Sequence, residues 1–104
     1  MHCAYWKYVA WRLLTGAKRG SFPLVGSNFF ARPEKRRMTP AAWRDDLELL
    51  DDMHTQLRAA VSALDRRTLK QRGKGRFTKA DLVAGVTAHD LYHAGQIQLI
   101  KALL

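Results

Sequence analysis

One hundred and four residues suit a single domain with a modest core, and the 47% apolar fraction is too high for a disordered chain. Eighteen Lys and Arg against nine Asp and Glu leave a net charge of +9, a surface that attracts polyanions without regard to their sequence. No apolar run of about 18 residues exists to span a membrane, and the single cysteine, Cys3, excludes an internal disulfide and fits a reducing compartment.

The chain opens with MHCAYWKYVAWRLLTG, which lacks the basic-then-apolar order and the cleavage site of a signal peptide, so a cytosolic protein is expected. This stretch predicts a first helix over about residues 2–15, stopped at Gly16. On it His2, Trp6, Val9 and Leu13 are spaced 4, 3, 4, one helical stripe. Tyr5, Tyr8, Trp11 and Leu14 make the same helix apolar nearly all round. Residues 16–38 then hold five glycines or prolines and no sustained period. Such a long connection is usually functional or mobile, and Phe22, Phe29 and Phe30 suggest that it packs down. Its end, RPEKRR at 32–37, carries four basic residues.

The second helix is expected over about 40–65. Thr39 supplies an N-cap hydroxyl and Pro40 the first helical position. Its stripe is Trp43, Leu47, Leu50, His54, Leu57, Val61 and Leu64, the 4–3 alternation of a bundle seam. RRTLKQRGKGRFTK, at 66–79, has seven basic residues and no acidic one, and reads as a loop. It is either a solvated linker or an anion-binding edge. A third helix over about 78–104 starts on Thr78, with Asp81 at the positive end of its dipole. Its stripe is Leu82, Val86, His89, His93, Ile97, Ile100 and Leu104. No strand competes, so the class is all-α. Three helices leave wide apolar faces wet, at roughly 25 cal/mol per Å² of apolar surface. Either a second copy, as a homodimer, or another helix upstream is expected to cover them.

Three histidines, His2, His89 and His93, stand where the stripes call for apolar residues. A buried imidazole needs a partner for its N–H and its lone pair, and a lone one is usually just hydrogen-bonded. Two at i and i+4 project side by side, so both nitrogens can reach one divalent ion. A third from another helix would complete a set that leaves a position open for water or substrate. His54 reads as a core or rim histidine and the spare candidate ligand. Cys3, about 100° round the helix from His2, reads as packing. Gln96 shares a face with His93, where it orients substrate or a ligand, or makes a polar contact. Gly95 reads as a point of close helix approach. Asp90 reads as a solvated acid or an acceptor for a histidine.

The closing AHDLYHAGQIQLIKAL, with its H-x-x-x-H-x-G-Q, resembles the last helix of the DinB-like (YfiT-type) four-helix-bundle superfamily. HCAYWKYVAWRLLTG is similar to that family's second helix, and TPAAWRDDLELLDDMHTQLRAAVSAL to its third. The resemblance spans nearly the whole chain as one domain, 1–104, a bundle without the family's first helix. It implies a divalent metal, nickel or zinc, held by His2, His89 and His93. It also implies transfer chemistry with a low-molecular-weight bacterial thiol such as bacillithiol or mycothiol as cosubstrate. Two rival readings stand beside it: a basic nucleic-acid-binding protein with structural histidines, and a metal-binding fragment without turnover.

Overall fold

The computed structural model describes residues 1–20, 22–24, 30, 38–73 and 75–104; Phe29 and the basic run at 32–37 lie outside them, as does most of the 16–38 connection. Among the described residues four helices are formed: α1 His2–Thr15, α2 Pro40–Ser62, the single turn α3 Arg66–Leu69, and α4 Lys79–Leu103. Among the described residues the only extended pairing is an isolated bridge between Arg72 and Thr78, so the class is all-α. Contacts group the chain into two compact units, Met1–Ala63 and Leu64–Leu104.

In the first unit α1 packs on α2. Gly16 ends α1 in the left-handed region at φ 74°, and its N–H donates to the Arg12 carbonyl at 2.9 Å. A side chain would be strained there, which is why a glycine closes this helix. Thr39 caps α2 by accepting the Ala42 N–H at 3.1 Å, with Pro40 in the first turn. The core is Ala4, Tyr8 and Met53, ringed by Tyr5, Val9, Trp11, Phe22, Leu49 and Leu50. Phe22 and Phe30 lie on it, with ring centroids 5.3–5.6 Å from Tyr5 or Tyr8. These are ordinary edge and tilted aromatic contacts, so both phenylalanines pack down as their sequence suggests.

The buried faces differ from the expected stripes. On α1 the buried residues are Ala4, Lys7, Tyr8, Ala10 and Leu14, while Trp6 is exposed. This helix is apolar nearly all round, so spacing alone has no power to select its inner face. On α2 the inner residues are Leu49, Leu50, Met53 and Leu57, while Trp43 is 57% exposed and Leu47 and His54 also face out. The face keeps Leu50 and Leu57 of the expected stripe but is turned toward Leu49 and Met53, bringing Met53 in where His54 was expected. Burying a methionine leaves no polar atom to satisfy; burying an imidazole leaves two.

In the second unit, the segment read as a loop after α2 contains α3. Asp65 caps it: its carboxylate accepts the Thr68 N–H at 2.8 Å, and Thr68 Oγ1 accepts the Asp65 N–H at 2.9 Å. The Thr68 N–H most of all, and then the Thr68 hydroxyl, which donates to Asp65 Oδ1 at 3.0 Å, hold the Asp65 carboxyl below its ordinary range. The chain then doubles back, with the Lys79 N–H donating to the Gln71 carbonyl at 2.9 Å and the Arg76 guanidinium over the Phe77 ring. Thr78 and Asp81 close a reciprocal capping box at 2.9 and 3.1 Å, which starts α4. The first half of the α4 stripe, Leu82, Val86, His89 and His93, is half-buried. The second half is not: Ile97, Ile100 and Leu104 are exposed, as are Leu91, Leu99 and Leu103.

Candidate metal centre

A continuous helix sets the first two candidate ligands. His89 and His93 lie a little over one turn apart on α4, so their rings stand one above the other. The ring centroids are 4.5 Å apart at 76°, and Nε2 of one is 3.1 Å from Nε2 of the other. Two nitrogens so close must share a proton or a cation. Two cis ligands at about 2.0–2.1 Å from an ion are themselves about 2.9 Å apart in octahedral geometry and about 3.4 Å in tetrahedral geometry. The observed 3.1 Å falls between these, so the donor pair fits a divalent ion as it stands. The same distance also suits an N–H···N bond between neutral rings.

The outer side of His93 is engaged as well. Its Nδ1 lies 2.6 Å from Gln96 Oε1, and the Gln96 amide N–H donates to the Tyr92 hydroxyl at 3.2 Å. The Tyr92 ring lies edge-on to His93 at 5.3 Å. Gln96 therefore contacts a candidate ligand directly. Asp90 is half-buried next to His89. Gly95 is not a point of close approach: a Cβ built there meets nothing within 4 Å.

The remaining sequence candidates stand in the first unit. His2 is the first residue of α1 and half-buried, its ring 6.4 Å from that of Trp6. Cys3 follows it, half-buried. His54 lies exposed on α2, with Nδ1 3.3 Å from Lys7 Nζ, and an ammonium can only donate, so Nδ1 accepts there. That nitrogen is occupied by a cation's proton, which leaves Nε2 as the atom with which His54 would serve as a spare ligand. Sequence reasoning missed Lys7, which is only 6% exposed. A lysine between aromatic residues reads as a solvated break, and nothing local marks it as buried. Also missed was a cavity of about 680 Å³ beside α1, lined by Tyr5, Trp6, Tyr8, Arg12, Arg19 and Phe22 among others. Its volume is in the range that takes small molecules, and two arginines give it a positive rim.

A family model described as the DinB superfamily matches residues 1–97. The chain belongs to the DinB superfamily. The match runs from before His2 to one residue past Gln96, so every candidate named here lies within it. No curated protein and no solved structure matches this DinB chain. The superfamily is generally metal-binding, and the histidine pair of this member is a site with the donors for it. Among the described residues of this DinB chain, no helix is long and apolar enough to cross a membrane.

Proposed function

We propose that this DinB-superfamily chain holds one nickel or zinc ion on His2, His89 and His93 and uses it to transfer a low-molecular-weight thiol to an electrophile. The 3.1 Å Nε2–Nε2 separation of His89 and His93 carries the reading. His89 and His93 offer Nε2, and His2 offers the third imidazole from the start of α1. When bound, the ion supplies Lewis-acid chemistry that lowers the pKa of a coordinated thiol. Three imidazoles are neutral donors, so they leave the ion its full positive charge for that purpose. Held by three protein donors, such an ion would remain open to a thiol. The transfer forms a C–S bond, the leaving group departs with its electron pair, and the thiol proton passes to solvent, so no protein nucleophile is consumed. Arg12 and Arg19, at the rim of the cavity beside α1, suit an acidic thiol. The low cysteine content supports a cytoplasmic setting.

Elemental analysis of the purified protein tests the site. Stoichiometric nickel or zinc is expected, lost in the His89→Ala/His93→Ala double variant and in His2→Ala. Metal-loaded protein should then consume members of an electrophile panel only when thiol is present. Stoichiometric metal without turnover would reduce the reading to a binding protein. Metal-free protein that binds duplex DNA with a steep salt slope would replace it with a nucleic-acid-binding one. Arg66, Arg67, Lys70, Arg72 and Arg76, all exposed, would then be the contacts.

The same reading includes a homodimer. Leu91, Leu99 and Leu103 on α4 are 61–78% exposed. Several large leucines exposed on one helix favour association over exposure to water. Light scattering is expected to give twice the chain mass, and a monomer at micromolar concentration would overturn this part.

A further inference from the structure

We infer that Gln96 is a positioning residue that fixes the tautomer of His93. It places the proton on Nδ1, so that the Nε2 lone pair faces His89. This rests on the metal reading for its purpose, but not for its evidence. His93 Nδ1 lies 2.6 Å from Gln96 Oε1, and an amide oxygen can only accept. The N–H is therefore on Nδ1, and in the neutral ring Nε2 then carries the lone pair. That nitrogen is the one 3.1 Å from His89 Nε2.

The amide has two ends, and only one of them gives this result. Turned over, Gln96 would donate to Nδ1 and force the proton to Nε2, into the gap between the rings. The 2.6 Å separation bears on the choice, since it suits an N–H···O bond and is too short for an N–H···N one; the Tyr92 hydroxyl, 3.2 Å from the other end of the amide, can accept or donate and satisfies that end in either orientation. All three residues sit on one helix at spacings of three and four, so helix geometry brings them together without help from elsewhere. An isolated histidine side chain in water prefers the opposite tautomer, with its proton on Nε2. Gln96 thus reverses an intrinsic preference, and it does so at the nitrogen an ion needs. A metal-ligating histidine ordinarily donates its other N–H to an oxygen, and losing that acceptor typically lowers metal affinity about 10–100-fold.

The test is made on the full chain labelled with ¹⁵N at histidine, stripped of metal and held at a pH where His93 is neutral. Long-range ¹H–¹⁵N spectra distinguish the two tautomers directly. The wild type is expected to show His93 as Nδ1–H. Gln96→Leu should move it to Nε2–H, whereas Gln96→Glu, which keeps an acceptor and has no donor, should hold Nδ1–H. Zn(II) competition against a chelator should show affinity falling about 10–100-fold in Gln96→Leu and staying within a few-fold in Gln96→Glu. A wild-type Nε2–H signal, or a Gln96→Leu variant with unchanged tautomer and unchanged zinc affinity, would overturn the inference while leaving the metal reading intact. The expected tautomer switch in a protein that binds no zinc would overturn the metal reading and leave this one standing.

Discussion

Replacing Gly95 by alanine should stabilise α4, although it sits between His93 and Gln96. Gly95 has ordinary helical geometry, and an added Cβ meets nothing within 4 Å. No steric term opposes the change, so intrinsic propensity decides. Alanine is favoured over glycine in a helix interior by about 1 kcal/mol, because glycine loses more backbone entropy on ordering. Nor does packing within the chain mask the effect, since Ile97, Leu99, Ile100 and Leu103 beyond it are exposed; because Gly95 lies between Leu91 and Leu99 on the face offered for dimerisation, exchange is measured on protein diluted to the monomer. Gly85 on the same helix is in the same situation. It lies about 15 Å away along the axis at the standard rise, too far to couple, so the two changes should add to about 2 kcal/mol. Amide hydrogen exchange is the assay. Each substitution should slow exchange in the surrounding turns roughly fivefold, and the pair together roughly thirtyfold, one kcal/mol being about fivefold in an opening equilibrium. Metal affinity should change less than twofold, because no donor atom is touched. Faster exchange in Gly95→Ala would refute the reasoning: it would mean that something packs against this glycine and that the open space around it is filled in solution.

Other substitutions probe the remaining elements. Thr78→Ala removes one half of the capping box and should destabilise α4 by about 1 kcal/mol, read as a lower denaturation midpoint with unchanged slope. Tyr8→Ala empties the centre of the first unit, where Tyr8 meets Ala4, Met53, Phe22 and Trp11, and should destabilise by about 3–5 kcal/mol, enough to unfold that unit at 37 °C. Asp65 gives a pH signature. Its carboxyl is held below the ordinary aspartate value by Thr68, so the cap contributes fully above that ordinary value and is lost as pH falls through the lower folded value. The Thr68 amide resonance should move in that acid window. Asp65→Asn, an equally good cap, should abolish the movement without unfolding the turn.

Much of this molecule is legible residue by residue. Thr39-Pro40, Thr78 with Asp81, and Gly16 mark helix ends because capping is local chemistry, settled within four residues. The pairing of His89 with His93 is equally local, since a helix delivers i and i+4 to one place whatever surrounds it. The same locality made α3 readable in principle, as Asp65 and Thr68 form a reciprocal cap, but a run of seven basic residues masked it as a loop. Gln96 stood out by its face, yet its contact with His93 Nδ1 rather than with a substrate depends on side-chain rotamers that spacing does not specify.

Which faces turn inward was decided only by packing. Helix α1 carries apolar residues all round, so its sequence holds no preference among them, and burial of Lys7, Tyr8 and Leu14 rather than Trp6 reflects what α2 offers in return. On α2, Met53 takes the inner position next to His54 because a thioether needs no partner and an imidazole needs two. Local hydrogen bonds and helical period act over a handful of residues, and the sequence by itself therefore determined where helices start and stop and which histidines stand side by side. The direction each helix faces depends on surface contributed by residues tens of positions away, and only the tertiary structure could decide it.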